Sequence, residues 1–414
     1  MKIATPSTSP SGDRVLQPSR SPDTLRDVTT NGASPSPREE MSRGREPAAP
    51  EVQQKRKRGR PKGSGLRNGL TAEEIMSLVC LYLCKGLSLA DIAKVLKREH
   101  QVPMTRQEPY EIIQQAARRG RLCYSPPLES DLQLKISARH SGWLRGMEVV
   151  NTSTAYHVAL QGARTLLNLV RERVAANKSP DVPVRIGWAG GHTMRKVAKE
   201  FSELLRRPVD GLPRKIVFHG AVAAFDTAHP FNDTNGFFTY FAKDSAMRVE
   251  PEFMCLPAPV VVEKEVLSAI QKCKGIREAR EAAKDLDILV TSGSCWNDPH
   301  SMYRYYMVDS DEIRKRLEAA GIVGDIMLLP VGADGPLEAD AAQLRAVTLF
   351  EDLSALEKFV DGGMAVLLVL GPCGNCGTLK TELLKAVLDM RQHLISHLVV
   401  DSRAASEYLS GKSA

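Results

Sequence analysis

Short apolar segments alternate with longer amphipathic ones through the last two thirds of this chain, and no other feature constrains its fold so strongly. Residues 184–188 and 147–150 are typical of buried strands, and the 3.6-residue periodicity of residues 156–174 between them predicts a helix. Further strands are predicted at 215–218, 287–291, 325–329, 366–370 and 397–401. This alternation predicts an α/β domain with a mainly parallel sheet.

The first 69 residues differ from this pattern. Residues 1–54 are rich in Ser, Pro, Arg and Glu and have too few large apolar side chains to offset the entropy of ordering, which predicts a disordered tail. Residues 55–63 (KRKRGRPKG) follow, and their RGRP core resembles an AT-hook, in which Arg58 and Arg60 would lie in the narrow minor groove of A·T-rich DNA. The alternative is a solvated basic run that contributes only counterion release.

The excess positive charge of the chain is confined to this end. The net charge is +7, and residues 1–70 carry fourteen Lys and Arg against seven Asp and Glu, which leaves 42 of each kind in the remainder. A basic end joined to a neutral domain indicates that the end meets a polyanion while the domain does something else.

The cysteines and the hydropathy pattern exclude two classes of protein. Eight scattered cysteines in a chain of 414 residues do not form the dense framework of a small secreted protein. No stretch approaches the roughly 20 apolar residues that cross a bilayer, and residues 1–30 lack the charged start and apolar middle of a signal peptide. We therefore expect a cytoplasmic, nucleoid-associated protein with no membrane partner.

Three short helices are predicted after the basic segment. Thr71 and Glu74 have the spacing of a capping box, and the apolar stripe behind them predicts a helix that ends near Gly86. Ser88 is placed to cap a second helix. Residues 105–108 (TRQE) form another capping box at the start of a third helix.

The N-terminal half of the third helix would present polar side chains outward, as the second helix of a helix-turn-helix does. Arg suits guanine and Gln suits adenine in the major groove. The residues predicted to contact DNA here are Ser88, Thr105, Arg106, Gln107, Tyr110 and Gln114. The alternative is a plain three-helix bundle with a solvated face. Residues 88–93 (SLADIA) and 116–122 (AARRGRL) resemble helices of bacterial winged-helix regulators, which favours the DNA-binding interpretation.

A glycine-rich turn follows the strand predicted at 184–188. Gly190, Gly191, His192 and Thr193 lie between that strand and an amphipathic helix, where backbone N–H groups and the helix N-terminus can hold an anion. The alternative is that the glycines only permit a tight turn.

The order of segments from residue 128 to residue 409 resembles the effector domain of SorC-type sugar-sensing transcriptional regulators. The segments are 189–193 (AGGHT), 256–259 (LPAP), 287–290 (DILV), 292–294 (SGS), 320–326 (AGIVGDI), 333–335 (ADG), Gly377, Lys380 and 397–401 (HLVVD). The resemblance implies a fold like that of ribose-phosphate isomerase, glucosamine-phosphate deaminase and the CoA transferases, used for sensing rather than catalysis.

The resemblance also implies a ligand site. The residues that it places there are Gly190, Gly191, His192, Thr193, Ser292, Gly293, Arg304, Asp325 and Lys380. The glycine turn would cradle a phosphate, Asp325 would accept hydrogen bonds from sugar hydroxyls, and Lys380 would pair with a ligand oxygen.

Three segments depart from that family. Residues 371–377 (GPCGNCG) are longer than its usual Gly-Gly turn, and residues 294–300 (SCWNDPH) are also enlarged. Residues 219–222 (HGAV) stand where relatives carry a glycine pair and sometimes an arginine that grips a second phosphate. These departures argue against a bisphosphate ligand and predict a ligand of different shape.

Cys373 and Cys376 form a CxxC motif inside the first of these segments. A zinc site needs about four ligands, and the sequence offers no second CxxC or pair of histidines at a suitable spacing. Redox pairs usually open a helix with an aromatic residue or proline nearby, unlike Gly374 and Asn375. We therefore predict no metal and no cofactor.

Together these patterns predict a DNA-binding transcriptional regulator, not an enzyme, in three parts. The parts are a disordered basic tail at 1–69, a winged-helix-like helix-turn-helix at 70–126, and an α/β effector and oligomerisation domain at 128–412. The predicted partners are double-stranded DNA, a small sugar or sugar phosphate, and further copies of the chain in a homodimer or homotetramer, because one helix-turn-helix covers too few base pairs for high specificity.

Two other functions remain open. A sugar-phosphate isomerase or deaminase on the same fold would use Asp325 as its base, although no second acid–base residue is placed by motif. An architectural DNA-binding protein would depend on the AT-hook-like segment, with the α/β domain serving assembly alone.

Overall fold

The computed structural model of this protein describes residues 66–223, 230–242, 244–338 and 344–411, which form one compact unit. The tail predicted at 1–54 and the AT-hook-like segment with Arg58 and Arg60 lie outside the described residues. The described chain begins with a short hairpin of β1 (Leu66–Arg67) and β2 (Leu70–Thr71), so the last residues of the segment predicted as tail are paired. The boundary between 70–126 and 128–412 stays a prediction.

Three helices follow the hairpin and form a helical module: α1 (Ala72–Cys84), α2 (Leu89–Glu99) and α3 (Glu108–Arg118). Their apolar faces meet in a small core of buried side chains, namely Ile75, Val79, Ile92, Leu96 and Val102. The helices predicted from apolar periodicity are therefore present, and their core is limited to a few large residues.

The predicted helix starts are confirmed in their capping contacts. Thr71 and Glu74 exchange both hydrogen bonds of a capping box at α1, and the Ser88 hydroxyl accepts a hydrogen bond from the N–H of Asp91 at α2. Thr105 and Glu108 also exchange hydrogen bonds, but α3 begins only at Glu108, so these contacts order the bend before the helix.

The segment after α3 differs from the wing that the sequence predicts. Residues 119–127 contain no strand, and the hairpin of this module precedes α1 instead. Arg119 and Arg121 fold back to α1, where each pairs with Glu73 at 2.9 Å. The basic sequence at the end of α3, which resembles the helix end that leads into a wing, is thus partly engaged in holding the module together.

The remaining strands supply the α/β part of the molecule. In chain order they are β3 (Gly146–Val150), β4 (Val184–Trp188), β5 (Lys215–Gly220), β6 (Glu250–Met254), β7 (Val261–Glu263), β8 (Ile288–Thr291), β9 (Gly293–Cys295), β10 (Ile322–Ile326), β11 (Leu329–Gly332), β12 (Gly335–Pro336), β13 (Leu344–Ala346), β14 (Ala365–Leu370) and β15 (His397–Asp401).

Seven of these strands form a central sheet in the order β3-β15-β14-β8-β4-β5-β6, and every neighbouring pair is parallel. The central strand β14 is apolar along its whole length, as expected for a sheet covered on both faces, and five of its six residues are buried. The predicted mixed α/β fold with a mainly parallel sheet is confirmed.

Helices connect and cover these strands. They are α4 (Ser130–Arg139), α5 (Ala155–Asn177), α6 (His192–Arg206), α7 (Thr234–Phe238), α8 (Lys264–Lys272), α9 (Lys274–Ala282), α10 (Met302–Met307), α11 (Asp311–Ala319), α12 (Ser354–Asp361), α13 (Thr381–Asp389) and α14 (Ser402–Ser410). The helix predicted at 156–174 is α5. Within the described part of the chain, none of the helices has both the length and the apolar content needed to span a bilayer.

A second, antiparallel sheet corrects one predicted strand. Residues 325–329, predicted as a single strand, straddle a hairpin turn between β10 and β11, in the sheet β12-β11-β10-β9. Met327 and Leu328 occupy this turn with positive φ values of 55° and 60°. Periodicity alone missed the turn because neither residue type favours such a conformation.

The connections of the central sheet run outward in two directions. From β4 the chain continues to β5 and β6 on one side, and from β8 it continues to β14 and β15 on the other. The direction therefore reverses between β4 and β8. Loops at the carboxyl ends of the strands diverge at such a reversal and leave a crevice, which is the usual ligand site of open α/β sheets.

Candidate functional site

A cavity of about 310 Å³ lies at this reversal point. Its walls come from the loops after β4, β8 and β14, from the β10–β11 hairpin and from residues around α7. Eight of the nine residues predicted to bind an effector line it: Gly190, Gly191, His192, Thr193, Ser292, Gly293, Asp325 and Lys380. The sequence segments that carry those residues are far apart, and the sheet topology brings them together.

The N-terminus of α6 forms one wall. Gly191 is the N-cap of this helix and has φ of 104°, a conformation that favours glycine, and its N–H donates to the carbonyl of Asn232 at 2.9 Å. A Cβ atom on Gly190 would lie 3.1 Å from the same carbonyl oxygen. The first turn of α6 has no acidic residue, so its positive dipole end and its N–H groups can attract an anion, in a cavity that Asp233, Asp298 and Asp325 also line.

Asp325 stands on the opposite wall as a fixed acceptor. Asp325 is 6% exposed. Its Oδ1 accepts a hydrogen bond from the Ser294 hydroxyl, and its Oδ2 accepts one from the N–H of Leu328 at 3.2 Å. Burial raises the pKa of Asp325 to about 6, against these hydrogen bonds and the charge of Lys380, which lower it. The carboxyl group is therefore desolvated and held in one orientation.

Lys380 supplies a buried positive charge. It is the N-cap residue of α13, is 6% exposed, and its Nζ donates to the Ser292 hydroxyl at 3.4 Å. Burial lowers the pKa of this ammonium group, and the negative charge of Asp325 works in the opposite direction. Two buried groups of opposite charge thus face one cavity, and a ligand with both hydroxyl and anionic groups can satisfy both.

Gly293 has a packing role as well as a place in the cavity wall. A Cβ atom there would collide with the carbonyl oxygen of Asp325 and with the Leu383 side chain. The glycine lets β9 approach β10 closely enough for Ser294 to reach Asp325. Substitution of Gly293 would therefore change the position of the acceptor rather than remove a ligand contact.

Arg304 does not line the cavity. It lies on α10, its guanidinium group is 5.5 Å from the ring centroid of Trp296, and its Nη1 donates to the Trp296 carbonyl at 3.4 Å. The structure therefore gives Arg304 a role in ordering the enlarged loop at 294–300.

Among the other residues that line the cavity, four that the sequence did not indicate are suited to bind a ligand. Arg195 and Lys196 follow the glycine turn on α6 and add positive charge to the same wall. Asn232 and Thr234 are 8% and 1% exposed, and the Asn232 side-chain oxygen and the Thr234 hydroxyl have no hydrogen-bond partner among the described residues. Buried polar atoms in this state are suited to a ligand that supplies the missing partner.

These omissions have a simple cause. Residues 230–234 form a single turn of 3-10 helix (Pro230–Asn232) and the start of the short α7, and elements of this length show no periodicity that would mark Asn232 or Thr234. Arg195 and Lys196 did offer a signal, because a basic pair directly after a glycine-rich turn lies within the first turn and a half of the helix. The helix N-terminus and two cations in sequence together indicate an anion more strongly than the glycines alone.

The predicted DNA-contacting residues of the helical module form an exposed surface. Arg106 lies in the bend before α3, and Gln107, Tyr110 and Gln114 follow at spacings of three and four, so they share one face of the helix. Thr105 is also exposed, whereas the Ser88 hydroxyl is used to cap α2. The structure thus brings the α3 residues together and assigns Ser88 a structural contact.

The prediction that the chain has no metal site assumed that Cys373 and Cys376 have no further ligands near them, and the structure shows two such residues. Cys373 and Cys376 stand next to Asp298 and His300, and one ligand atom from each of the four lies within 4.8 Å of the others. The search for a second CxxC or a histidine pair missed this group because its second half comes from a different loop, 73 residues earlier in the chain in the case of His300 and Cys373.

No family model and no curated protein matches this chain. Among solved structures, a transcriptional regulator from Streptococcus pneumoniae TIGR4 is similar with a TM-score of 0.50 and 17% identity, over 68% of this chain and 96% of that one. The full-length sorbitol operon regulator SorC from Klebsiella pneumoniae has a TM-score of 0.49 and 13% identity, over 82% and 99%. A DeoR family transcriptional regulator from Listeria monocytogenes has a TM-score of 0.47 and 21% identity, over 67% and 98%. At such identities the likeness concerns the fold alone.

Proposed function

We propose that this protein is a transcriptional regulator that binds DNA through the helical module and a small phosphorylated sugar in the cavity of the α/β part. The observation that carries the proposal is the composition of the cavity. A helix N-terminus with no acidic residue in its first turn, the buried Lys380 and the buried acceptor Asp325 face one space of about 310 Å³. That volume is at the lower end of the range for small-molecule sites.

The two walls would bind different parts of one ligand. The N–H groups at the start of α6, with Thr193, Arg195 and Lys196, would hold the phosphate. Asp325 and the unpartnered oxygens of Asn232 and Thr234 would meet hydroxyl groups on the sugar. A ligand with a single phosphate is favoured because Arg195 and Lys196 both lie on α6. Residues 219–222, which lack the arginine that some relatives carry for a second phosphate, support the same conclusion.

A sugar-phosphate isomerase or deaminase would require a mobile acid–base pair. Both oxygens of Asp325 already accept hydrogen bonds from the chain, which suits a fixed acceptor better than a base that must reach a substrate carbon. We expect a sugar phosphate incubated with the protein to remain unchanged by NMR, and turnover that is lost in Asp325→Asn would replace this proposal with the enzymatic one.

The ligand would influence DNA binding through α6. This helix begins at the cavity and ends at Arg206, and the next residue, Arg207, donates to the Cys123 thiol at 3.0 Å. The Arg207 side chain also packs on Gly120, directly after α3. A small displacement of α6 on ligand binding would therefore reach the base of the proposed recognition helix.

A thermal-shift screen of the full chain first identifies sugar phosphates and free sugars that stabilise it. Isothermal titration with those sugar phosphates and with the matching free sugars then measures their affinities. Lys380→Met removes the buried charge but keeps most of the side-chain volume, and it should weaken phosphate-containing ligands roughly 10- to 100-fold, as expected for a charge-assisted hydrogen bond. Lys385→Met is the matched control, because Lys385 lies on the same helix but is exposed and outside the cavity lining.

The comparison of the two ligand series decides the proposal. Tight binding of a sugar phosphate, reduced in Lys380→Met and retained in Lys385→Met, supports it. Equal loss in both variants, or no binding by any member of either series, contradicts it, provided that circular dichroism shows each variant to be folded.

A further inference from the structure

The two enlarged loops that depart from the SorC pattern meet each other at the rim of the cavity. The loop after β9 contributes Asp298 and His300, and the loop after β14 contributes Cys373 and Cys376. They meet because β8 and β14 are neighbours in the parallel sheet, so that the loops at their carboxyl ends lie side by side. Segments that are unusual in sequence are therefore in contact in space.

The four side chains offer ligands of the kinds that zinc prefers. They supply two sulfur atoms, one imidazole nitrogen and one carboxylate oxygen, and zinc in structural sites takes four such ligands in tetrahedral geometry. Hard cations such as Mg²⁺ and Ca²⁺ prefer oxygen ligands alone and fit this set poorly.

Three of the six distances between the ligand atoms agree with that geometry, and all six are within 4.8 Å. Zinc bonds of about 2.3 Å to sulfur and about 2.1 Å to nitrogen or oxygen give tetrahedral edges of about 3.6 Å when sulfur is involved and about 3.4 Å between nitrogen and oxygen. Cys376 Sγ lies 3.6 Å from Asp298 Oδ1, and Cys373 Sγ lies 3.7 Å from His300 Nδ1. His300 Nδ1 lies 3.5 Å from Asp298 Oδ1.

The surroundings favour a bound cation and allow it to enter. Asp298 is 3% exposed, and its Oδ1 accepts hydrogen bonds from the N–H of His300 and the thiol of Cys376, so the carboxylate is held next to the other ligand atoms. Cys376 and His300 are exposed, so an ion can reach the group from solvent. The hydrogen bond of 2.9 Å from the N–H of Gly377 to the carbonyl of Cys373 closes the CxxC loop and holds the two thiols on the same side.

We propose that Asp298, His300, Cys373 and Cys376 form a tetrahedral zinc site that joins the two loops at the rim of the cavity. With four ligands from the chain the coordination of the ion is complete, so its role is structural rather than catalytic. Asp298, His300 and Cys373 also line the cavity, and the ion therefore fixes the part of the wall that faces Lys196 and Lys380. This site is independent of the identity of the effector.

Zinc content and cobalt spectroscopy of the full chain test the proposal. Protein purified under reducing conditions should retain about one zinc ion per chain after gel filtration, as measured by plasma mass spectrometry. Replacement of zinc by Co²⁺ should give the visible bands of a tetrahedral ion and the near-ultraviolet bands of thiolate-to-cobalt charge transfer. Neither signal depends on a variant that has to fold.

Variants assign the ligands. Cys376→Ser and the double variant Cys373→Ser/Cys376→Ser should lose the zinc and the charge-transfer bands, and His300→Ala should weaken zinc at least tenfold in competition with a chromogenic chelator. Cys273→Ser is the matched control, because Cys273 is another exposed free cysteine outside the group, and this variant should bind zinc as the parent chain does.

Three results would overturn the site. They are zinc content no higher than in the double variant, unchanged zinc affinity in His300→Ala, which would show binding by the thiols alone, and a Cys373–Cys376 disulfide recovered by mass spectrometry from protein kept under reductant. In the supporting case, chelation should lower the melting temperature of the parent chain and leave that of the double variant unchanged.

Discussion

The helical module and the cavity of the α/β part place their functional side chains in opposite ways. In the module, Arg106, Gln107, Tyr110 and Gln114 are exposed at the start of one short helix and in the bend before it, over a core of five buried apolar residues. In the cavity, several groups proposed to bind ligand, such as Asp325 and Lys380, are buried, and they come from segments that are far apart in the chain and are held by contacts such as Ser294 to Asp325. One surface depends on local structure and the other on the whole sheet.

This difference predicts where the molecule tolerates change. Exposed side chains can be replaced with little effect on folding, but the module beneath them has few apolar contacts to lose. The cavity rests on a large core, so its side chains can be altered without unfolding the sheet, but each alteration leaves a buried group without its partner. Four substitutions test this contrast, in order of decreasing expected effect.

Leu96→Ala should have the largest effect. Leu96 is fully buried in the small core, and truncation of a buried leucine costs about 2–5 kcal/mol, a large share of the stability of so small a module. We expect the variant to lose DNA binding, measured by fluorescence anisotropy, and to keep ligand binding, measured by titration. Leu81→Ala, at a position 48% exposed, should change neither. Joint loss of both activities would show that the two regions fold as one cooperative unit.

Asp325→Asn tests how much the burial of the ionised Asp325 carboxylate lowers the free energy of unfolding. Because the pKa is about 6 in the folded state and about 3.8 when unfolded, the folded state favours the protonated carboxyl, and stability is lost as pH rises from about 4 to about 6. The variant should be the more stable above pH 6, by up to about 3 kcal/mol, and the difference should vanish near pH 4. Chemical unfolding at several pH values measures this.

The ligand titrations complete that test. Asn keeps one acceptor oxygen but replaces the other with a donor, so ligand affinity should fall while stability rises at neutral pH. A pH-independent difference in stability between the variant and the parent chain would contradict the burial of an ionised Asp325.

The same contrast explains how much could be predicted from the sequence. Helix starts at Thr71 and Ser88 and six of the seven strands of the central sheet followed from local patterns, because caps and apolar runs act over a few residues. The edge strand β6 was not predicted, because its sequence (EPEFM) has no apolar run. Of the eight predicted residues that line the cavity, the four of the glycine-rich turn followed from a local pattern, and the other four followed only from the resemblance to a family. The hairpin turn at Met327 and Leu328 was missed because these residues adopt positive φ under the constraint of packing, not by preference.

Sites assembled from segments without a periodic pattern could not be predicted from the sequence. Asn232 and Thr234 carry no periodic signal, and the group around Cys373 needed the knowledge that β8 and β14 are neighbours. A CxxC motif limits the search to two ligands, whereas the other two are determined by sheet order. The order of strands is a long-range property, which local patterns do not contain.

Arg106→Ala tests the exposed surface. If Arg106 reads a base, the variant should lose about 1–3 kcal/mol of specific binding to a duplex selected from random sequences, with a smaller loss on random DNA. Arg118→Ala is the matched control, an exposed arginine at the other end of α3. Equal losses on both duplexes would identify Arg106 as a phosphate contact, and the DNA-reading face would then have to be sought elsewhere on the module.

Arg207→Ala should have the smallest effect, and it tests whether the two regions communicate. The substitution removes the contacts of Arg207 with Cys123 and Gly120 but touches neither the cavity lining nor the exposed face of α3. Ligand affinity and DNA affinity measured separately should therefore be unchanged, while the change in DNA affinity caused by ligand should shrink by about 0.5–1 kcal/mol. Lys199→Ala, an exposed residue within α6, is the control and should leave this coupling intact. An undiminished coupling in Arg207→Ala would mean that the signal does not pass through the end of α6, and that ligand acts instead through the packing of one copy of the chain against another.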